Sequence, residues 1–163
     1  MPVCPIRFNG GNVRRKEREI TEKSELDTIL EKGRICRIAM SNDGAPYMVP
    51  VCYGFRPGRL YFHCAREGTK LDIIAKHPMV CFEVETDVEV IKRESPCKWG
   101  LRYKSVVGYG SASVVEDPEE VREGLTAIMQ MMSGETAFEF SEEAMKKIHV
   151  VRIVIDRLTG KQS

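Results

Sequence analysis

At 163 residues, 42% hydrophobic and 30% charged, the chain has the composition of one soluble globular domain, large enough to bury about two thirds of its unfolded surface. Twenty-five basic against 24 acidic side chains leave a formal net charge of +1. No overall field therefore points to nucleic acid or to an anionic membrane, and any charged ligand must be held locally. The six cysteines (Cys4, Cys36, Cys52, Cys64, Cys81, Cys97) lie at least a dozen residues apart, without a Cys-x-x-Cys pair or a histidine at zinc-ligand spacing. This predicts reduced thiols in a cytoplasm and no metal site.

Residues 1–20 are polar, carry Arg14, Arg15, Lys16 and Arg18, and hold no apolar run of signal-peptide length; they are expected to form an extended arm. No later segment reaches a membrane span. No repeat or long linker divides the chain, so residues 1–163 are read as a single domain. Ser24 to Gly33 predicts a helix with Ser24 as N-cap, Asp27 at the capping-box position and Gly33 closing the end. Strands are expected at Arg34–Met40, Tyr47–Phe55 and Arg59–Cys64, joined by turns at Ser41-Asn42-Asp43-Gly44 and Arg56-Pro57-Gly58.

A helix follows from Gly68, burying Leu71, Ile74 and Ala75 and ending at His77-Pro78. In Val80–Val90, Phe82, Val84, Val88 and Val90 alternate with Glu83, Glu85, Asp87 and Glu89, as in a strand with one wet face. Side chains on one face of a strand splay along it, so the acids read as solvated rather than as a metal cage. Tyr103–Val115 is a further strand. Asp117-Pro118-Glu119-Glu120 starts a helix running to about Met132, whose methionines fill core gaps. A short helix at Glu142–Lys147 leads into a last strand, His149–Leu158. Six strands joined largely by tight turns, with four helices inserted, predict a mainly antiparallel α+β fold: a sheet curled into a barrel. No Gly-x-Gly-x-x-Gly or Walker loop is present.

Four places bear on chemistry. The stretch Leu60-Tyr61-Phe62-His63-Cys64-Ala65-Arg66-Glu67-Gly68-Thr69-Lys70-Leu71 runs from a strand through a basic loop into a helix. A helix start offers unpaired N–H groups; Gly68 allows close approach, Thr69 a hydroxyl, and Arg66 and Lys70 full charges, which together suit a phosphate. His63, opposite in face to Phe62, stands beside this seat as a candidate donor. Gly108 and Gly110 bare one face of their strand, for a ligand, a neighbouring backbone or a bulge. Cys97-Lys98-Trp99-Gly100-Leu101-Arg102-Tyr103-Lys104-Ser105 carries the only tryptophan in an aperiodic stretch that either stacks a flat ring or covers a barrel end.

Taken together, Gly33–Met40, Pro46–Val51, Leu60–Asp72, His77–Phe82 and Tyr103–Gly110 stand in an order and spacing, from about Arg14 to Lys161, that resembles the pyridoxamine 5'-phosphate oxidase-like flavin proteins, specifically their 5-nitroimidazole-resistance branch. The resemblance implies a six-stranded FMN-binding split β-barrel with flanking helices, working as a homodimer with the flavin between subunits. It implies Val51, Cys52 and Tyr53 along the isoalloxazine edge, His63 and Cys64 beside the cofactor, and Thr69 and Lys70 on the phosphate with Arg66 close by. The segment containing Trp99, Tyr103 and Ser105 would come from the other subunit. The chain lacks the Arg-Leu-x-Pro ending with which the vitamin-synthesising oxidase binds its substrate, ending instead in Leu158-Thr159-Gly160-Lys161-Gln162-Ser163. The implied activity is therefore reduction of a flat acceptor, a nitroaromatic or a quinone, with His63 as the proton donor. FAD, a deazaflavin or haem are alternative cofactors. A haem-binding or haem-degrading protein using His63, His77 or His149, and a non-catalytic flavin module, are alternative functions.

Overall fold

The computed structural model describes residues 13–163. Cys4 and most of the expected N-terminal arm lie outside the described residues. A 3-10 turn at Lys16–Arg18 precedes the two-residue strand β1 (Glu19–Ile20). Helix α1 (Lys23–Lys32) buries Leu26, Ile29 and Leu30. It begins one residue before the expected cap: Ser24 lies inside the first turn and gives its carbonyl to Thr28 Oγ1 at 2.8 Å, and no side chain caps the end. Gly33 closes the helix in extended backbone (φ −62°) rather than left-handed. Its missing side chain matters for space, because a Cβ there would run into Val84 and the Tyr53 hydroxyl.

Strands β2 (Cys36–Asn42) and β3 (Ala45–Val51) form a hairpin turned by Asp43 (φ 50°) and Gly44 (φ 94°), the two positive φ values of a type I′ turn. The expected strand over 47–55 breaks at Cys52-Tyr53, so β4 is a separate strand (Gly54–Arg56). Gly58 (φ 80°) turns the chain into β5 (Arg59–Ala65). Then come α2 (Thr69–Lys76), β6 (Met79–Ile91), a 3-10 turn at Pro96–Lys98, β7 (Gly100–Val114), α3 (Pro118–Ser133), α4 (Glu142–Met145) and β8 (Ile148–Gln162). In α2 the buried pair is Ile73 and Ile74; Leu71 is half-buried and Ala75 exposed. Helix α3 starts as expected, the Asp117 carboxylate accepting from the backbone N–H groups of Glu119 and Glu120. Met129 and Met131 are half-buried and Met132 is exposed.

The fold is mainly β. Among the described residues, eight antiparallel strands form one open sheet in the order β3-β2-β6-β7-β8-β5-β4, with β1 also paired to β8. Eight strands replace the expected six because β1 was not anticipated and the second strand is split. One face of the sheet gathers Cys36, Ile38, Phe62, Phe82, Val106 and Ile153 with the buried residues of α1 and α2 into the main core. Across β5 and β8, a smaller cluster joins Tyr61 and Val150 to Leu125, Ala127 and Ile128 of α3. Tyr61 thus faces a second layer, which the unbroken apolar run Leu60-Tyr61-Phe62 signals. Its Oη donates to Glu120 Oε1 at 3.0 Å, and Arg152 reaches the same carboxylate at 3.0 and 3.1 Å, fastening α3 to the sheet.

Alternation along β6 holds through Val80, Phe82, Val84 and Thr86 and then fails. Between Thr86 and Glu89 the register with β7 shifts, and Asp87 sits at φ 56°. An extra residue in a ladder exchanges the two faces beyond it. Val88 and Val90, expected on the core face, are therefore 56% and 54% exposed. The acids keep their own partners: Arg37 donates to Glu83 and Glu85, each at 3.0 Å, and Arg102 to Glu89. Gly108 and Gly110 serve packing, since a Cβ on Gly108 would enter the Phe82 ring and one on Gly110 the Val154 backbone, beside a register shift in β7.

Candidate flavin site

Strand β5 directs Leu60, Phe62 and Cys64 into the main core and leaves His63 exposed on the opposite side. The chain then turns through Gly68, whose backbone (φ 135°, ψ 160°) side chains rarely adopt; no atom lies within 4 Å of where its Cβ would be. Glycine is needed here for conformation, not for space. The Gly68 carbonyl accepts from Leu71 and Asp72 at 2.9 and 3.3 Å. As N-cap it offers no side chain, so the backbone N–H groups of Thr69 and Lys70 have no partner among the described residues. The start of α1 likewise lacks a side-chain cap, whereas those of α3 and α4 are capped by Asp117 and Ser141. Lys70 is half-buried and has no carboxylate partner among the described residues. Burial pushes the Cys64 thiol above its usual range, while the Lys70 ammonium pulls it down, which places that cation near the strand end. Open backbone donors, the Thr69 hydroxyl and the Lys70 charge belong to one helix turn, a combination that suits a dianion.

Arg66 is engaged elsewhere. Its Nη1 donates to the Lys146 carbonyl at 3.0 Å, just past the end of α4. His63 borders a cavity of about 210 Å³ whose other walls are apolar, with Ile128 and Met129 from α3 and Phe140 and Met145 around α4. His63 has no hydrogen-bond partner among the described residues. The other histidines are placed differently: His77 Nε2 is 2.9 Å from Asp43 Oδ1, an interaction that holds the exposed Asp43 carboxyl below its usual range, and His149 lies opposite Cys64 in the β5–β8 ladder.

The Val51–Tyr53 segment divides. Val51 ends β3 half-buried and Cys52 is an exposed free thiol. Tyr53 is 2% exposed, and its Oη donates to the Leu30 carbonyl at 2.6 Å. Burial raises its phenol far above the normal value. The Tyr53 ring anchors the end of α1 and leaves only its backbone for a ligand. Trp99 is half-exposed, its Nε1 donating to the Arg93 carbonyl at 2.8 Å and the Lys92 ammonium lying 5.5 Å from its ring centre. Tyr103 and Ser105 are half-buried on the following stretch of β7. Gly100 pairs with Ile91, whereas Ser111 pairs with Met79, next to the end of α2. Trp99 is thus roughly 35 Å along the ribbon from that end, at about 3.3 Å per residue. Among the described residues, Trp99, Tyr103 and Ser105 make no hydrogen bond with β5 or α2.

A mainly β sheet whose helix α2 starts uncapped on Thr69 and Lys70 suits an anionic ligand at that turn. Residues 22–162 match the model of the pyridoxamine 5'-phosphate oxidase family, and the chain belongs to that family. It is similar in structure to a candidate 5-nitroimidazole antibiotic resistance protein from Bacteroides thetaiotaomicron, with TM-score 0.78 and 26% identity over 88% of this chain and 86% of that one. The FAD and haem binding protein from Mycobacterium smegmatis (TM-score 0.77, 19% identity, 90% and 73% coverage) has the same fold. So does a flavocytochrome from Azotobacter vinelandii (TM-score 0.77, 16% identity, 92% and 71% coverage). No curated protein matches the chain. The five described cysteines are unpaired, and no helix among the described residues is long and apolar enough to cross a membrane.

Proposed function

We propose that this chain is an FMN-dependent oxidoreductase that reduces a flat acceptor such as a nitroaromatic or a quinone, as a homodimer of split barrels with the cofactor between subunits. The observation that carries this reading is the uncapped start of α2, with Thr69, Lys70 and their free N–H groups near Cys64; His63 stands across β5, in the pocket under α3 and α4. Family membership supports a flavin, and the likeness to the candidate 5-nitroimidazole resistance protein supports the acceptor class.

When bound, the flavin supplies the electron transfer. Thr69 and Lys70 hold its phosphate through a hydroxyl, two backbone donors and one cation. Val51 and Cys52 line the ring edge, with backbone alone from Tyr53. His63, in a pocket whose other walls are apolar, is the residue assigned to donate to the acceptor. Trp99, Tyr103 and Ser105 belong to the partner's side of the cleft, because within one chain they stand at the far end of the ribbon. Exposed Val90 and Leu101, directly opposed in the ladder, provide an apolar surface for that partner.

The experiment is anaerobic: the flavin is loaded, reduced, and mixed with nitroaromatics and quinones while its absorbance is followed. Reoxidation faster than that of free reduced flavin is expected; reoxidation at the free rate would remove the catalytic reading and leave a flavin-binding module. One observation favours a haem reading, namely that His63 is without a partner among the described residues and so would be available to hold the iron. A Soret band in the protein as isolated would establish it over the flavin.

A further inference from the structure

Next to the His63 pocket, with which it shares Met145 and Ile148, lies a larger cavity to which the proposed reaction assigns no ligand. It lies between α3, α4 and the beginning of β8 and measures about 550 Å³, within the size range of small-molecule sites. Thr69 and Lys70 do not border it. Its floor is apolar and assembled from separate elements: Val115 after β7, Val121 of α3, Met145 of α4 and Ile148 of β8. Arg66 and Arg122 stand at its border, from the loop after β5 and from the second turn of α3. Neither has a carboxylate partner among the described residues. Each is steadied by one backbone carbonyl, Arg66 by Lys146 at 3.0 Å and Arg122 by Phe140 at 3.5 Å, so each retains most of its five N–H donors. Lys146, also at the border, is matched by Glu142 at 3.7 Å. Glu116 is the bordering acid with no cation partner among the described residues.

We propose that this cavity binds a small amphipathic monoanion, a carboxylate carried on an aliphatic or aromatic body, with the carboxylate on Arg66 and Arg122 and the body on Val121, Met145 and Ile148. The three features select this class together. Two arginines from different elements suit the paired oxygens of a carboxylate. The floor rewards an apolar body that an inorganic anion lacks. With Lys146 matched by Glu142, the border carries two unmatched cations and one unmatched acid, and this balance of one positive charge suits one negative charge better than several.

The test is calorimetric titration of the full-length, flavin-loaded protein with octanoate, octanol and inorganic phosphate. Saturable binding of octanoate is expected, with octanol and phosphate bound far more weakly. Arg122→Gln should weaken octanoate by about tenfold or more, the loss of one charge-assisted contact. Val121→Glu should weaken it similarly by placing a second acid on the floor, with flavin content and melting temperature showing that both variants are folded. Absent octanoate binding, octanol or phosphate bound as tightly as octanoate, or undiminished binding in both variants would each overturn the proposal. Because flavin content is read separately, its failure is distinct from failure of the flavin assignment.

Discussion

At the level of single residues, Lys70 and Arg66 separate two roles that the sequence presents as one. Both are cations within the same loop and helix start, yet Lys70 has no partner among the described residues, while Arg66 donates one N–H to the Lys146 carbonyl and borders the cavity beside α4 instead of the start of α2. Lys70→Ala should therefore raise the FMN dissociation constant roughly 10- to 150-fold, the loss of a charge-assisted hydrogen bond of about 1.5–3 kcal/mol. Fluorescence quenching of FMN measures this, and an unchanged constant would remove Lys70 from the site. A second residue-level outcome concerns pH. Burial, then the Glu83 charge, pushes the Cys36 thiol from 9.0 up to about 12. The folded state therefore holds this proton more tightly than the unfolded one, and the associated stability is complete below pH 9 and lost as pH rises toward 12. The loss approaches about 1.4 kcal/mol per pH unit inside that window. Urea midpoints taken between pH 8 and 11 should fall, and Cys36→Ala should flatten the fall even though it lowers the starting stability.

Elements show which local signals the chain carries openly. The Asp117-Pro118 start is legible because cap, proline and acids act within one turn, and it is formed as expected. Asp117→Ala should cost about 1 kcal/mol of stability, read from the urea midpoint. The Ser24 cap is equally well formed as a pattern, but the helix is placed by packing Leu26, Ile29 and Leu30 against the core, and the serine falls inside it. Gly33 carries a similar lesson. Its role as a helix terminator is visible in sequence, whereas its contact with Val84 and Tyr53, residues far along the chain, is not. Gly33→Ala should therefore destabilise by about 1–3 kcal/mol through overpacking, beyond any effect on the helix end. A melting temperature equal to that of the unaltered protein would contradict this. The split of the second expected strand has the same origin: Tyr53 is drawn inward to the Leu30 carbonyl, a partner that strand periodicity does not reveal.

For the whole molecule, the order of strands and helices was legible because tight turns at Asp43-Gly44 and Pro57-Gly58 fix neighbours locally. Only part of the site was. The proposed phosphate corner at Thr69 and Lys70 lies within a dozen residues of sequence, whereas Trp99 stands roughly 35 Å along the ribbon from the end of α2 and enters the site only under the proposed dimer. Val88, Val90, Trp99 and Leu101 are 56%, 54%, 47% and 51% exposed, a concentration of apolar surface at one end of the fold. Light scattering should give a dimer, and Leu101→Asp should shift it toward monomer and release flavin while the circular dichroism of the sheet persists. A monomeric unaltered protein that still binds FMN would exclude a cofactor shared between subunits.

The extra residue at Asp87 has one further consequence. On the near side of it, β6 serves the interior of its own chain through Val80, Phe82 and Val84; on the far side its apolar residues are turned outward. Substitutions before Asp87 should change how firmly one chain folds, and substitutions after it whom that chain meets. Under the proposed dimer, a single strand keeps folding and association as separately adjustable properties, so that drift in the contact surface need not be compensated in the core.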